Sequence, residues 1–327
     1  MRFRNYSLAL STLLLVSLLA ISFGPIHISF LHILETIFNL PGKLHGSDRT
    51  VLLDIRAPRV VLAILVGSAL STSGAVYQTV FKNPLADPYL LGAAAGAGLG
   101  ATIAITNSAV AGSLPIFAFV GAAAAVLLSF LASGKFVAEP NTLLLSGIAI
   151  GSFATALQTY LQQRHSASLR PVYSWILGEL TAADWITVRW SAIYICISLL
   201  ILFVVRKRLD ALLLSDEEAY SLGISPNKLR VIALSAATFA TATAVSASGL
   251  IGFVGIVIPH LVRALTHRIS NENLPIIAIT GGAFLVLADL GARTILSPAE
   301  LPIGVLTAFI GAPFFLIILR RRRLVQK

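Results

Sequence analysis

Ten apolar stretches, separated by charged residues, prolines and turn residues, restrict what this chain can fold into. Their approximate bounds are 7–24, 59–80, 89–107, 114–134, 141–162, 188–205, 231–248, 251–266, 274–291 and 303–319. A helix needs about 20 apolar residues to cross a bilayer. Only 12% of the residues are charged, whereas soluble domains contain roughly a quarter. We therefore predict an all-α polytopic membrane protein with ten transmembrane helices, in which residues 1–327 form one domain.

The basic residues predict the orientation of these spans. Most of the 24 Lys and Arg residues lie in segments that are cytoplasmic if the N-terminus is cytoplasmic, as the positive-inside rule requires. An even number of spans then places the C-terminus on the same side. The net charge of +10 is spread over short loops, which is typical of a protein surrounded by membrane lipid and not of nucleic-acid binding. The other basic residues fall outside and need another explanation: Lys43, Arg49, Arg56, Arg59, Arg164, Arg170, Arg189 and Arg293.

Two features of the sequence concern the outer side of the membrane. The first apolar stretch follows Arg2 and Arg4 and ends near Ser22, so a cleaved signal peptide is an alternative to a retained span. We favour retention, because it keeps the topology consistent. The long outer segments also contain half-apolar runs at 28–40 and 172–180, where we expect short helices lying at the interface.

The longest charged stretch inside the chain, residues 206–230, lies between spans six and seven, and we call it the inner polar segment. A polar segment of this length between membrane spans is typical of a docking surface for a cytoplasmic partner. No phosphate-binding loop of the Gly-x-x-x-x-Gly-Lys-Ser/Thr type occurs in the sequence. If the protein transports a solute uphill, the energy must therefore come from another source.

The remaining motifs favour packing over catalysis or metal binding. Gly92, Gly96 and Gly100 repeat every four residues, which predicts one helix face without side chains where backbones approach closely. Cys196 is the only cysteine and lies in an apolar stretch, so no intramolecular disulfide and no thiol metal cluster is expected. His260 has no second ligand at helical spacing and is interpreted as a packed residue.

The turn of residues 82–88, called here the Asn83 turn, joins spans two and three on the inner side. Asp87 followed by Pro88 is typical of a helix start, because the carboxylate caps free amides and proline fits the first turn. A rigid turn of this kind is either structural or a narrow constriction that Asn83 and Leu85 form at the inner mouth of a pathway.

Charges at the outer ends of spans also have two interpretations. Asp289 and Arg293 are four residues apart and are expected to share one helix face. They form either a structural ion pair or part of an outer binding surface. Arg56 and Arg59, on either side of Pro58, either reach lipid headgroups or form a cationic socket for an acidic partner.

Eight segments carry a family resemblance: 56–59, 74–78, 83–92, 215–224, 252–263, 289–293, 300–304 and 311–314. In this order they resemble the FecCD family of ABC-transporter permeases, which includes permeases for vitamin B12, iron-siderophores and haem. The resemblance implies a vitamin-B12-permease-like ABC importer fold and a homodimer with the substrate path along its axis. It also implies two cytoplasmic ATPase subunits that use ATP and Mg, and an extracytoplasmic substrate-binding protein. No cofactor is expected on this chain itself, and the cytoplasmic membrane of a bacterium or archaeon is the expected location.

The resemblance also implies roles for individual residues. Arg56, Arg59 and Arg293 are similar to the sockets that receive acidic groups of the binding protein. Asn83 and Leu85 resemble a cytoplasmic gate, with Asn141 and Thr142 at the start of span five as a second gate element. The inner polar segment resembles the loop that couples the permease to its ATPase, and the matching positions are Asp210, Ser215, Asp216, Glu217, Glu218, Ala219, Leu222 and Gly223.

Two other classes of function are weighed against an ABC importer permease. An ion-coupled secondary transporter working alone would need paired acidic residues at mid-span, whereas the carboxylates here cluster at span ends and in loops. A membrane enzyme ranks third, because no catalytic constellation faces a common depth. The cargo is not defined by the sequence, and a siderophore, haem and cobalamin remain open.

Overall fold

The computed structural model describes residues 2–24, 47–107, 110, 112–134, 140–266 and 270–325. Within these ranges lie ten long helices: α1 (Arg2–Ser22), α2 (Ala57–Val80), α3 (Ala93–Thr106), α4 (Leu114–Ser133), α5 (Pro140–Arg164), α6 (Trp185–Leu209), α7 (Pro226–Ser248), α8 (Val254–Thr266), α9 (Leu274–Thr294) and α10 (Ile303–Val325). They occur at the ten predicted positions, so the prediction of an all-α polytopic membrane protein is confirmed.

Not every helix is long enough to cross a membrane alone. Seven helices of the described ranges have the length and apolar composition for this, and three shorter apolar helices accompany them. At 1.5 Å per residue, α3 with 14 residues and α8 with 13 residues extend about 20 Å, less than the roughly 30 Å hydrocarbon core. Each is preceded by backbone of another form: a 3-10 turn (Pro88–Leu91) before α3 and a non-helical segment (residues 249–253) before α8.

Short helices occupy the connections. Ser47–Thr50 and Val51–Arg56 lead into α2, Leu169–Ile176 lies between α5 and α6, and Asp210–Leu213 and Asp216–Ser221 lie within the inner polar segment. The helix Leu169–Ile176 occupies the position of the interfacial helix predicted around 172–180 and buries Val172 and Trp175. The other interfacial helix, predicted at 28–40, falls outside the described residues.

Helix α2 is the centre of the bundle and contacts α6, α7, α8 and α9. Polar groups on α2 are satisfied by neighbouring helices: Ser73 Oγ donates to the Ala237 carbonyl at 2.9 Å and the Tyr77 hydroxyl bonds Thr238 at 2.8 Å. Glycines permit the closest approaches, because a Cβ on Gly74 would lie 2.1 Å from the Gly255 carbonyl oxygen. Van der Waals packing between small residues is the main source of helix association where lipid surrounds the protein.

The Gly74 contact gives a testable prediction about packing. We expect Gly74→Ala to reduce the free energy of unfolding by about 1–3 kcal/mol, the usual cost of overpacking, because the added methyl group meets backbone that cannot rotate away. Gly252→Ala is the matched control, since nothing lies within 4 Å of its added Cβ. Thermal unfolding in detergent micelles measures both, and equal losses of stability would contradict the packing argument.

The glycine repeat in α3 differs from the sequence-based prediction at one position. Gly96 and Gly100 face α4, where an added Cβ would lie 2.3 Å from the Gly121 carbonyl and 2.1 Å from the Phe117 carbonyl. Gly92 does not share that face. It lies before the first turn of α3 with φ of +81° and approaches Gly147 and Gly151 of α5. The left-handed conformation, which glycine adopts without penalty, turns the chain there and explains the difference.

The connections meet in two groups, one at each end of the bundle. At one end Lys82 of the Asn83 turn contacts Leu214, and Asp210 contacts Asn271. At the other end the Trp185 indole donates to the Leu53 carbonyl. We name these the inner and outer ends, following the predicted orientation.

Candidate functional site

The outer end contains a charge cluster formed by Arg56, Arg59, Asp289, Arg293 and Glu300, called here the outer charge cluster. Arg59 Nε donates to Asp289 Oδ1 at 2.8 Å, and its two terminal nitrogens donate to the Glu300 carboxylate at 3.2 and 2.8 Å. Arg293 lies one helical turn from Asp289 on α9, with Nε 3.4 Å from Oδ2. Two cations therefore compensate the buried carboxylate of Asp289, which is 1% exposed.

The other two arginines hold the end of α1. Arg56 Nη1 donates to the carbonyls of Ile21 and Ser22 at 2.7 and 3.1 Å, and Arg293 donates to the carbonyl of Ala20. The last carbonyls of a helix have no partner within the helix and carry partial negative charge. Two guanidinium groups thus bind the C-terminal end of α1 and attach it to α9 and to the short helix Val51–Arg56 that leads into α2.

The structure places the three predicted sockets inside the protein. Arg56, Arg59 and Arg293 are 4%, 8% and 4% exposed, and each has partners from this chain. Arg59 alone lines a cavity of about 110 Å³, whose other polar walls include Glu179 and Glu300. A group approaching from the outer end would therefore meet Arg59 by way of Glu300. The ion pair between Arg59 and Glu300 was not predicted from the sequence, because the two residues are 241 positions apart.

At the inner end, the Asn83 turn is fixed by its own polar groups. Asn83 Oδ1 accepts from the Leu85 amide and the Asn83 carbonyl accepts from Ala86, both at 3.0 Å. Asp87 Oδ1 accepts from the Tyr89 amide at 2.8 Å and caps the turn Pro88–Leu91. The structure thus shows the cap expected from the sequence and holds Asn83 and Leu85 in one rigid turn.

The second predicted gate element is the first turn of α5. Asn141 is exposed and Thr142 is half-buried. Helix α5 packs on Pro88–Leu91, since an added Cβ on Gly147 would lie 2.4 Å from the Leu90 carbonyl. The beginning of α5 and the segment that follows the Asn83 turn are therefore neighbours.

Asp87 gives a testable pH dependence. Burial raises the pKa of Asp87 to about 6, above its usual value near 4. A raised pKa in the folded state means that the protonated form favours folding. The contribution of Asp87 to stability is therefore most favourable below about pH 4 and is lost as the pH rises through about 6.

We expect Asp87→Asn to remove this decline and to raise stability at pH 7 by about 1–2 kcal/mol, a value reduced for partial solvent access. The amide oxygen still accepts from Tyr89. Asp184→Asn is the control, because a hydrogen bond from Thr187 lowers the pKa of Asp184 and its contribution is lost as the pH falls. Melting temperatures between pH 4 and 8 measure both, and an unchanged pH profile in Asp87→Asn would contradict the assignment.

The inner polar segment has a rigid frame. Ser215 Oγ accepts from the Glu218 amide at 3.2 Å while Glu218 Oε2 accepts from the Ser215 amide at 2.9 Å, which forms a capping box. Arg230 Nη1 of α7 donates to Asp216 Oδ2 at 2.9 Å, and this hydrogen bond lowers the pKa of Asp216. Asp210 faces the chain interior and accepts from Ser270 and Asn271.

The same segment exposes apolar groups. Tyr220 is 55% and Leu222 is 64% exposed, whereas Ala219 is buried beneath them. Glu217 is exposed beside them, and Gly223 adopts φ of +73° and ends the short helix. The inner polar segment therefore presents large apolar side chains, Tyr220 and Leu222 together with Leu213 and Leu214, on a frame that is fixed from within.

No group of three or more His, Cys, Asp or Glu side chains suited to a metal ion occurs among the residues that the structure describes. The His260 ring lies on α8 next to Pro259, inside the helix.

Comparisons with known proteins agree with this geometry. The Fe(3+) dicitrate transport system permease protein FecD of Escherichia coli is 40% identical over 84% of this chain and 86% of its own length. The cobalamin import system permease protein BtuC of Halobacterium salinarum is 40% identical over 82% of this chain and 73% of its own length. A solved structure, described as a metal-chelate type ABC transporter in an inward-facing conformation, superposes with a TM-score of 0.88 at 28% identity and covers 98% of this chain and 100% of its own. Because the FecCD transport family profile also matches residues 12–321, this chain belongs to the FecCD family of ABC-transporter permeases.

Proposed function

We propose that this chain is the membrane-spanning subunit of a binding-protein-dependent ABC importer, driven by two ATPase subunits at its inner end. The observation that carries the proposal is the inner polar segment, which exposes Tyr220 and Leu222 on a frame closed by a capping box. Large apolar side chains surrounded by polar groups are typical of a protein interface. ATP and Mg are bound by the ATPase, and this chain needs no cofactor of its own.

A second copy of the chain completes the pathway. Helix α5 exposes Ser152, Thr155, Thr159 and Gln163 along one face of a membrane span. Polar side chains at membrane depth face a partner or a water-filled cavity instead of lipid. We therefore place α5 along the axis of a homodimer, where its polar face lines the substrate path and its inner end brings Asn141 and Thr142 to the gate with Asn83 and Leu85.

The outer charge cluster is the proposed docking site of the substrate-binding protein. An acidic group of that protein enters the cavity at Arg59 and replaces Glu300, which keeps 34% of its side chain exposed. Arg56 and Arg293 belong to the same proposed site as buried groups that hold the end of α1 behind Arg59, and they do not contact the partner themselves. Exchange of one carboxylate for another leaves no buried cation unpaired, so docking and release both remain easy.

Removal of the Glu300 carboxylate, which competes with the binding protein for Arg59, tests this exchange of carboxylates. We expect Glu300→Gln to strengthen binding-protein docking about two- to fivefold, since a half-exposed ion pair contributes up to about 1 kcal/mol. Glu217→Gln at the opposite end is the control. Affinity is measured with the permease complex in nanodiscs, and weaker or unchanged docking of Glu300→Gln would contradict the exchange.

The proposed cargo is an iron chelate such as a ferric siderophore, with haem and cobalamin as alternatives. Relatives named for ferric dicitrate and for cobalamin are both 40% identical to this chain, so identity does not separate them. Mass spectrometry of the ligand that co-purifies with the cognate binding protein distinguishes these cargoes.

The assembly itself is tested by native mass spectrometry. Co-expression with the cognate ATPase is expected to yield a complex of two copies of each subunit, with both termini of this chain on the ATPase side of a bacterial or archaeal cytoplasmic membrane. Failure of the ATPase to co-purify with this chain, or a complex that contains only one copy of the chain, would contradict the proposal.

A further inference from the structure

Two routes of hydrogen bonds connect the inner polar segment to the end of α2. In the first, Lys82 Nζ donates to the Leu214 carbonyl at 2.6 Å. In the second, the Asp210 carboxylate accepts from the side-chain amide of Asn271 at 2.8 Å, and Asn271 Oδ1 accepts from Thr79 Oγ1 at 3.1 Å. Thr79 lies in the last turn of α2 and Lys82 follows it directly. Both routes therefore end where the Asn83 turn begins.

The backbone at Lys82 indicates why a lysine occupies this position. Its φ is +48°, in the left-handed region, where a residue other than glycine costs roughly 1–2 kcal/mol. Glycine is the usual residue just after a helix ends in this conformation. The lysine side chain supplies what glycine lacks, a donor that reaches Leu214 across 132 positions of sequence.

The Asn83 turn follows Lys82 as one unit. The Lys82 amide donates to the Thr79 carbonyl at 3.2 Å and the Asn83 amide donates to the Gln78 carbonyl at 3.1 Å. The bonds that Asn83 accepts from Leu85 and Ala86 fix the rest of the turn. Because these bonds join the turn to itself and to the last turn of α2, we expect a displacement at Lys82 to carry Asn83 and Leu85 with it.

The second route differs from the first in its surroundings. Asn271 and Thr79 are each 6% exposed, whereas Lys82 lies at the surface. Hydrogen bonds shielded from water are stronger and hold a fixed length. The buried route fixes the position of the inner polar segment against α2, and the surface route attaches it to the turn itself.

We propose that Lys82, supported by Asn271 and Thr79, transmits movement of the inner polar segment to the Asn83 turn, which makes Lys82 the positioning residue that couples the ATPase to the gate. This inference rests on the proposed function, in which the ATPase moves the inner polar segment. Removal of a residue with a purely structural role would lower stability and reduce the ATP-dependent movement of the inner polar segment and of the Asn83 turn equally. Removal of a residue that transmits movement leaves the inner polar segment moving, whereas the Asn83 turn no longer follows it.

The experiment measures both ends of the route in the reconstituted permease–ATPase complex. Nitroxide labels are attached at Leu85→Cys in the Asn83 turn or at Ser221→Cys in the inner polar segment, in a Cys196→Ser background that removes the only native thiol. Distances between the nitroxide labels of the two copies are measured by double electron–electron resonance with and without ATP. ATP hydrolysis is measured for each labelled protein.

Lys82→Gly removes the donor and relieves the backbone, so the turn itself is expected to form. With this variant, we expect the ATP-dependent shift at Ser221 to persist and the shift at Leu85 to fall to less than half. Lys82→Arg is expected to restore the Leu85 shift, and Arg189→Met, at an exposed basic residue near the outer end of α6, is expected to leave both shifts unchanged. Adding Thr79→Val to Lys82→Gly is expected to reduce the Leu85 shift further.

An unchanged Leu85 shift in Lys82→Gly and in the double variant would overturn the transmission role while the proposed function stands. Loss of both shifts together in Lys82→Gly would also overturn the transmission role, because that result indicates that Lys82 has a purely structural role. Absence of any ATP-dependent shift at Ser221 when Lys82 is intact would instead contradict the proposed function.

Discussion

Asp289→Ala is expected to reduce the free energy of unfolding by about 3–5 kcal/mol, the typical cost of breaking a buried ion pair from one side. Asp289 is 1% exposed and lies between Arg59 and Arg293. Without it, the cation of Arg293 is left buried beside Arg59 with no carboxylate between them. Since Arg293 also binds the end of α1, the outer attachment of α1 is expected to weaken with it.

Glu300→Gln is the matched control, because Glu300 binds the same arginine from a half-exposed position and is expected to cost less than about 1 kcal/mol. Denaturant unfolding in detergent micelles measures both variants. Equal losses would show that burial of the central carboxylate does not determine the stability of the outer charge cluster.

Leu222→Glu is expected to weaken binding of the ATPase by at least about 30-fold, because a carboxylate placed in an apolar contact costs 2 kcal/mol or more. The side chain is 64% exposed in the isolated chain, so folding should be unaffected. Affinity is measured with the permease in nanodiscs and purified ATPase.

Leu296→Glu provides the control for this substitution. Leu296 is a similarly exposed leucine, at 54%, in the α9–α10 connection at the outer end. ATPase binding should be unchanged in that variant. If Leu222→Glu bound the ATPase with wild-type affinity, Leu222 would not be part of the ATPase interface.

The apolar pattern predicted the helices well, but it predicted their ends less well. Span six was expected at 188–205, whereas α6 is Trp185–Leu209 and begins at an Asp184 cap that accepts from the Thr187 amide. Span three was expected at 89–107, but α3 begins only at Ala93, after a 3-10 turn. Hydropathy reports where a segment can be buried in a membrane, whereas caps and turns decide where the backbone becomes helical.

The candidate sites were predictable only in part, and the reason is the same at both ends. Charges on the unexpected side of the membrane drew attention to Arg56, Arg59 and Arg293, but their partners include carbonyls of α1, and any residue type supplies a carbonyl. The hydrogen bond from Lys82 also ends on a backbone carbonyl, that of Leu214, so the residue type at position 214 does not reveal it. Local patterns did predict the Asp87 cap, because capping depends on residues next to each other in sequence.

ATP-dependent uptake in proteoliposomes tests the central claim most directly. The chain is reconstituted alone or with its cognate ATPase and binding protein, and accumulation of radiolabelled ferric dicitrate, haem and cobalamin is measured with a protonophore, with ATP, and with neither. The account predicts that at least one of these compounds accumulates only when all components and ATP are present, and that the protonophore has no effect. Uphill accumulation by the chain alone, abolished by the protonophore, would contradict it and identify an ion-coupled secondary transporter.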